Sequence, residues 1–185
     1  MPENEWLCPS CVATNNQVDP EVLADAQKAE EVRGGEEKLL VVGNDGILAQ
    51  DIDLLREVLE VIDASLPLIG RVNAAKVVFA PDHQTLVLAR VTPSTRRVLG
   101  AVVLKPHAQR SLAELAYCVV RKEEQRSGIG MRLLDGFKKH CLGLGILHLL
   151  TYADDSAVKF FEKAGFDPEP PAGMEVNRFH WAISH

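Results

Sequence analysis

The sequence lacks the features that mark several classes of protein. It contains no run of about 18 apolar residues, so no transmembrane helix is predicted. Its first residues have neither the basic start and apolar core of a secretory signal nor the arginines of a transit peptide. With 185 residues and 46% hydrophobic side chains, the chain can bury a full-sized core. We therefore expect a globular protein of the nucleus or cytoplasm, without a membrane partner.

Cysteine is scarce as well, and its placement does not predict a metal centre. Four cysteines in a chain of this size are too few for a disulfide framework. Cys8 and Cys11 have the spacing of half a structural zinc site, but no second Cys-x-x-Cys or Cys-x-x-x-His pair follows. Cys118 and Cys141 lie in apolar runs, and the six histidines are scattered, with none at ligand spacing from a carboxylate or cysteine. No metal is predicted.

A surplus of positive charge is also missing, which bears on the choice of partner. The net charge is −6, and the first 37 residues carry 9 acidic and 2 basic side chains, whereas residues 38–185 carry 17 acidic and 18 basic ones. A near-neutral domain gives no basis for direct nucleic-acid binding, which needs a basic excess. Residues 1–37 are predicted to be an acidic, flexible N-terminal tail, and residues 38–185 the folded domain. Local acidic surface could receive a basic peptide.

The hydrophobic pattern of the domain alternates between strand-like and helix-like segments. Strands are predicted at residues 38–42, 85–91, 98–104, 112–120 and 146–152, and helices at residues 51–64, 70–76, 131–142 and 156–164. A polar connector that contains Pro93 makes a hairpin of the second and third strands. Asp154 can cap the last helix, and Gly165 can end it. The pattern predicts an α/β fold.

A glycine-containing turn separates the strand at residues 112–120 from the helix that follows. Glycine lets a backbone approach a ligand closely, and the N-terminus of a helix carries unpaired N–H donors and partial positive charge. Such a turn can bind a pyrophosphate, although a turn of this kind often does no more than precede a helix. The residues of the turn are Gln125, Arg126, Ser127, Gly128, Ile129 and Gly130.

Glu114 stands inside the apolar strand just before that turn. A lone glutamate in a strand is commonly an edge or solvent-facing residue. The alternative is a shielded carboxylate, and since burial disfavours the charged form of a carboxyl group, such a residue is a better general base. A period of two places Leu112, Ala116 and Cys118 on the face of Glu114, and Ala113, Leu115, Tyr117 and Val119 on the opposite face.

The order of these elements and four short motifs resemble a known family. The motifs lie at residues 112–120, 124–130, 149–154 and 160–166, and the resemblance extends over residues 37–167. The chain resembles the GNAT superfamily of acetyltransferases and, within it, the PCAF-like histone acetyltransferases. The resemblance implies a mixed, mostly antiparallel sheet, flanked by helices and splayed where acetyl-coenzyme A enters.

The resemblance also implies roles for individual residues. Glu114 falls on the general base that deprotonates a lysine side chain of a histone tail or another basic peptide. The N–H of Cys118 falls on the group that stabilises the tetrahedral oxyanion. Acetyl-coenzyme A is the implied co-substrate, and subunits of a coactivator complex are implied partners in the nucleus. The implied cofactor-binding residues are Cys118, Val119, Val120, Gln125, Arg126, Ser127, Gly128, Ile129, Gly130, Met131, Tyr152, Ala153, Ser156 and Phe160.

Two departures from the family pattern keep other functions open. Ser156 and Phe160 replace tyrosines of the family, one of which is sometimes described as a general acid, and the chain ends 19 residues after Phe166, short of the usual C-terminal segment. The alternatives are an acetyltransferase of small amines or protein N-termini and an acyl-coenzyme A-binding module without turnover. Direct transfer is preferred to a Cys118 nucleophile, because no histidine nearby in the sequence would activate the thiol.

Overall fold

The computed structural model describes residues 31–32, 35–43, 49–92 and 96–167. The strands are β1 (Glu31–Val32), β2 (Gly35–Gly43), β3 (Gln84–Val91), β4 (Arg96–His107), β5 (Leu112–Val120) and β6 (His148–Thr151). The helices are α1 (Ala49–Ser65), α2 (Arg71–Val78), α3 (Ile129–Gly143) and α4 (Val158–Lys163). Two short 3₁₀ turns, Ala108–Arg110 and Lys122–Glu124, flank β5.

All six strands form one sheet, in which their spatial order follows their order in the chain. Strands β1 to β5 pair antiparallel with their neighbours, as a series of hairpins allows. Strand β6 pairs parallel with β5, since the chain crosses over through α3 before it returns to the sheet. The predicted mixed, mostly antiparallel sheet flanked by helices is confirmed.

Each face of the sheet has its own apolar core. Helices α1 and α2 cover one face, called here the α1 face, where buried side chains such as Val58 and Ile62 pack against Val87 and Ala101 of the sheet. Helices α3 and α4 cover the opposite α3 face, whose buried side chains include Leu99, Val102, Leu133, Leu134 and Phe137. Burial of each of these larger side chains contributes roughly 1.5–3 kcal/mol. The sheet is thus a middle layer with helices on both sides.

A β-bulge in β5 corrects the predicted alternation of its side chains. Val103 of β4 pairs with Tyr117 and Leu104 pairs with Leu115, so Ala116 has no partner in the ladder. One unpaired residue reverses the alternation beyond it. Ala113 and Leu115 therefore share the α3 face with Cys118 and Val120, whereas Tyr117 and Val119 pack on the α1 face. The prediction that Glu114 and Cys118 lie on one face is wrong.

The element boundaries differ from the predicted ones by a few residues. Strand β2 begins at Gly35, so Glu36 and Glu37, assigned from the sequence to the tail, belong to the sheet. Helix α4 begins at Val158 rather than at residue 156, and Gly165 follows it with a φ of 84°. Residues 1–30, with the Cys8–Cys11 pair, and residues 168–185 lie outside the described residues.

Two kinds of feature are absent from the described residues. No helix among them has the length and apolar character needed to cross a membrane. No group of three or more histidine, cysteine, aspartate or glutamate side chains in those ranges could hold a metal ion.

Candidate active site

Strands β5 and β6 separate at one end of the sheet and leave an opening. Their parallel ladder runs from Leu112 beside His148 to Leu115 beside Thr151, and β6 ends there. The Thr151 hydroxyl donates a hydrogen bond of 3.4 Å to the Leu115 carbonyl. Strand β5 continues to Val120, and no strand of the described part of the chain pairs with this outer edge. The backbone edge of residues 116–120 is therefore available to a ligand.

The bulge lies at the mouth of this opening. Ala116 is exposed, and Cys118, Val119 and Val120 follow it along the free edge. Val119 turns its side chain into the core of the α1 face. Bulges occur often beside active sites, where they redirect a side chain or end strand pairing. Here the bulge turns the face of Glu114 away from that of Cys118.

The turn predicted to bind a pyrophosphate, residues 125–130, follows β5 and is called here the phosphate loop. Gly128 has a φ of 85° and Arg126 a φ of 64°, both in the left-handed region. The Gln125 amide donates to the Val120 carbonyl over 3.3 Å, and the Ser127 hydroxyl donates to the Glu124 carbonyl over 2.5 Å. These two bonds fold the loop back onto the end of β5.

Helix α3 starts from this loop without a side-chain cap. Gly128 occupies the N-cap position and has no side chain that could cap the helix. The Arg132 N–H donates to the Gly128 carbonyl over 3.1 Å. The N–H groups of residues 129–131, in the first turn, have no carbonyl partner within the helix. Together with the helix dipole, these donors favour an anion at the helix end. The N-terminus of α3 can therefore hold a phosphate group.

Phe160 of α4 packs against the start of α3. A Cβ atom built on Gly130 would lie 3.0 Å from Cε2 of Phe160 and 3.6 Å from Cγ2 of Val120. Glycine at position 130 therefore leaves the space that the phenyl ring occupies. The structure brings together four residues of the predicted site, namely Val120, Gln125, Gly130 and Phe160.

Other predicted residues lie apart from that group or serve the chain turn itself. Ser156 donates both its N–H and its hydroxyl to Oδ1 of Asp154, over 2.9 and 2.6 Å. The Ser156 hydroxyl bond is the main reason that the pKa of Asp154 lies below its usual value. Tyr152 is 81% exposed, and Ala153 beside it is half-buried. In this structure Ser156 shapes the turn into α4, and Tyr152 presents its side chain to solvent.

A charged cluster beneath the phosphate loop was not identified from the sequence. The side chain of Glu37 is only 3% exposed, and its Oε2 lies 2.5 Å from Nη1 of Arg132. Arg90 reaches Oε1 of Glu37 through a longer contact of 3.5 Å and Oε1 of Glu124 over 3.0 Å. The cluster joins β2, β3, the turn before the loop and the first turn of α3. It therefore fixes the loop to the sheet.

A second ion pair holds the residue that links β5 to the phosphate loop. Arg121 donates from Nη2 to Oε1 of Glu57 on α1 over 2.6 Å, and from Nε to the Val98 carbonyl over 2.8 Å. The same Glu57 oxygen accepts the Val98 N–H over 3.0 Å. Helix α1, strand β4 and the end of β5 thus share one hydrogen-bonded unit.

Glu114 lies on the α1 face near the opening, with 15% of its side chain exposed. Its Oε1 atom is 2.9 Å from Nε2 of His107 on β4. Lys105 is its direct partner in the ladder, but the Lys105 ammonium lies 2.8 Å from Oδ2 of Asp82. That contact is the main reason that the pKa of Asp82 is lowered to about 2. The carboxylate of Glu114 therefore has an imidazole as its hydrogen-bond partner.

The sequence pattern did not indicate His107, because no histidine stands at ligand spacing from a carboxylate along the chain. The hairpin register provides a signal that could have found it. His107 pairs with Leu112 and Lys105 pairs with Glu114, so His107 and Glu114 are diagonal neighbours on one face.

Cys118 has the character of a structural thiol. Its apolar surroundings raise the pKa of the thiol to about 12, so the group stays protonated at neutral pH. Its side chain also contributes to the α3 face, on the opposite side of β5 from Glu114. A nucleophilic thiolate paired with that carboxylate is excluded by this arrangement. The backbone N–H of Cys118 remains on the free edge region of the strand.

The open sheet, with strands that separate beside the start of a helix, agrees with the fold that the family resemblance predicted. The model of the Acetyltransferase (GNAT) family matches residues 60–166. The chain therefore belongs to the GNAT family of acetyltransferases, as the resemblance predicted.

Curated relatives narrow the comparison to one group within that family. The chain is 30% identical over 140 residues to the histone acetyltransferase GCN5 of Oryza sativa subsp. japonica, covering 75% of this chain and 26% of that protein. It is 29% identical over 152 residues to the GCN5 of Yarrowia lipolytica, covering 82% of this chain and 31% of that protein. The chain thus spans between a quarter and a third of the length of these relatives.

Solved structures give the same grouping. The crystal structure of Tetrahymena GCN5 is 28% identical, with a TM-score of 0.68, and the match covers 80% of this chain and 89% of that one. The Tetrahymena catalytic domain in complex with coenzyme A gives a TM-score of 0.62 at 28% identity, over 83% of this chain and 89% of that one. An aminoglycoside acetyltransferase from a soil metagenome, at 16% identity and a TM-score of 0.56, shows the fold alone. The predicted likeness to histone acetyltransferases is confirmed.

Proposed function

We propose that this chain transfers an acetyl group from acetyl-coenzyme A to a lysine side chain of a histone or another basic nuclear protein. The observation that carries the proposal is the joint likeness in sequence and fold to GCN5 enzymes, at 28–30% identity over three quarters or more of this chain. Solved acetyltransferases of aminoglycosides and of a ribosomal-protein alanine give 10–16% identity. A histone acceptor implies a nuclear location and coactivator complex subunits as partners.

Acetyl-coenzyme A would bind along the free edge of β5 and the start of α3. Its pyrophosphate would take N–H groups of the phosphate loop and of Met131. Its pantetheine arm would follow the backbone of Cys118, Val119 and Val120, where β5 has no strand partner on its outer side. Arg126, exposed on the loop, would add a cation near the phosphates. The roles of Tyr152, Ala153, Ser156 and Phe160 in cofactor binding remain part of this proposal.

Glu114 would serve as the general base. A lysine side chain with an ordinary pKa near 10.4 is almost wholly charged at neutral pH, so a proton must leave before the nitrogen can attack. Glu114 would accept that proton, the lysine nitrogen would bond to the thioester carbon, and the C–S bond would break. The Cys118 N–H would stabilise the intermediate oxyanion. Coenzyme A would leave as a thiolate, whose thiol pKa near 8.5 makes a general acid unnecessary.

Labelled acetyl-coenzyme A tests the proposal when it is offered with three acceptors in parallel. These are a lysine-containing histone tail peptide, the same peptide with its lysines replaced by arginine, and a polyamine. We expect label on the lysine peptide, and much less with Glu114→Gln. Label on the polyamine alone would refute the peptide acceptor. Tight binding of acetyl-coenzyme A without transfer to any acceptor would instead support a binding module without turnover.

A further inference from the structure

We propose that His107 is a positioning residue for Glu114, whose Nε2–H donates to the carboxylate and fixes its orientation. The inference rests on the proposed role of Glu114 as the base. It concerns a residue outside the motifs that carried the family resemblance.

The geometry of the β4–β5 hairpin brings the two side chains together. His107 is the last residue of β4, and Glu114 lies on β5 beyond the short turn at residues 108–110. The separation of 2.9 Å between Nε2 and Oε1 is that of a hydrogen bond. Exposed fractions of 24% for the His107 side chain and 15% for Glu114 shield the bond partly from water. A charge-assisted bond in that setting is stronger than one on an open surface.

Neighbouring charged groups on this face have partners of their own. Lys105 of β4 lies opposite Glu114 in the ladder, but its ammonium forms an ion pair with Asp82 in the turn before β3. His83 in that turn also pairs with Asp82, through Nδ1 at 2.8 Å. Leu150 of β6 is the apolar partner of Glu114 on its other side. Tyr117, the next side chain on this face of β5, has a pKa raised by burial and is therefore uncharged.

The hydrogen bond has a geometric consequence for a general base. A carboxylate held by a donor on one oxygen keeps a fixed orientation, and a small misplacement of a catalytic group slows the chemical step. With Nε2–H on Oε1, the second oxygen of Glu114 would remain to accept a proton from an amine or from a water between them. A carboxylate without this donor would rotate freely. The loss of His107 should therefore lower kcat more than it changes KM.

The kinetic test compares kcat and KM for the histone tail peptide in the whole chain and three variants. His107→Phe should lower kcat by about tenfold and leave KM within about twofold, because a misplaced base slows the chemical step without removing a binding contact. His107→Gln, whose amide N–H can replace Nε2–H, should keep most of the parent kcat. His140→Phe is the matched control, because His140 of α3 binds the neutral Gln84 of β3 over 3.0 Å. An unchanged kcat in His107→Phe, or an equal loss in His107→Gln, would overturn the inference.

A second measurement needs no turnover and separates this inference from the proposed function. Long-range proton–nitrogen correlation spectra of the free chain report the Nε2 signal of each histidine. Glu114→Gln should shift the His107 signal and leave the His140 signal in place. If the His107 signal does not respond, the inference fails even if the enzyme is active. If Glu114→Gln keeps full activity while that signal responds, the base role fails and the contact survives as a structural one.

Discussion

The two ends of the opening are built in different ways. The phosphate loop is a contiguous stretch of chain, and charged contacts from β2, β3 and α3 hold it against the sheet. The end that carries Glu114 combines a bulge in β5, a histidine from β4 and the divergence of β5 from β6. The first end is suited to holding a ligand, since its groups are backbone donors already in place. The second end places a single titratable side chain, so small changes there should alter rate more than binding.

The largest expected effect is on rate, from Glu114→Gln. Loss of a general base lowers kcat by roughly 10²–10⁴-fold. The Kd for acetyl-coenzyme A, measured by calorimetry, should stay within about twofold because the phosphate loop is unchanged. Steady-state kinetics at saturating peptide give kcat. A parallel rise in that Kd would contradict the proposal that the phosphate loop serves binding and the Glu114 end serves the rate.

The next effect is on stability, from Glu37→Gln beneath the phosphate loop. Removal of the buried charge leaves Arg132 without its carboxylate and Arg90 with Glu124 alone, and the partial exposure of both arginines limits the cost to about 2 kcal/mol. Urea unfolding should show a lower midpoint with an unchanged slope. Glu36→Gln is the matched control, because the Glu36–Lys38 pair is about half exposed and contributes little. Equal effects of the two variants would mean that the cluster does not hold the loop.

The contiguous end is also the part that local sequence chemistry could predict. Gly128 has a positive φ, as a glycine turn allows, and the buried residues Leu133, Leu134, Phe137 and Cys141 of α3 all lie within the helix predicted at residues 131–142. The missed features all depend on strand pairing. The bulge at Ala116 breaks a period of two that sequence alone supports, His107 meets Glu114 only through the hairpin register, and Glu37 becomes buried only when β2 joins β3. Each of these contacts joins residues that are far apart in the sequence or depends on the register of two strands. The spacing of residues along the chain therefore does not reveal them.

A smaller effect, on binding, is expected from Gly130→Ala at the start of α3. The new methyl group would lie 3.0–3.1 Å from the Phe160 ring, so α4 must shift away from the phosphate loop. Overpacking of this kind costs about 1–3 kcal/mol, and we expect roughly tenfold weaker binding of coenzyme A by calorimetry. Gly143→Ala at the other end of the helix meets open space and is the control. Unchanged affinity in Gly130→Ala would mean that the loop tolerates movement of α4.

The smallest effect should come from the Cys118 thiol, and it concerns the pH dependence of folding. The folded pKa of about 12 exceeds the ordinary value of 9.0, so the folded chain keeps a proton that the unfolded chain releases between those values. Stability is therefore fully present below pH 9 and falls as the pH rises toward 12. Cys118→Ala removes this contribution, so the stability difference between parent and variant, from urea unfolding at pH 7 and pH 10, should shrink at the higher pH.

The protonated state of the Cys118 thiol also favours direct transfer over a mechanism with an acetyl-cysteine intermediate. A thiol that remains uncharged at neutral pH is a poor nucleophile toward a thioester. The chain incubated with acetyl-coenzyme A but no acceptor should therefore carry no acetyl group on Cys118, as peptide mass spectrometry would show. If Cys118 is acetylated and loses the acetyl group when the histone tail peptide is added, transfer passes through a cysteine intermediate and direct transfer is wrong. The bulge would then separate two catalytic side chains, and the Glu114 end would depend on both faces of β5.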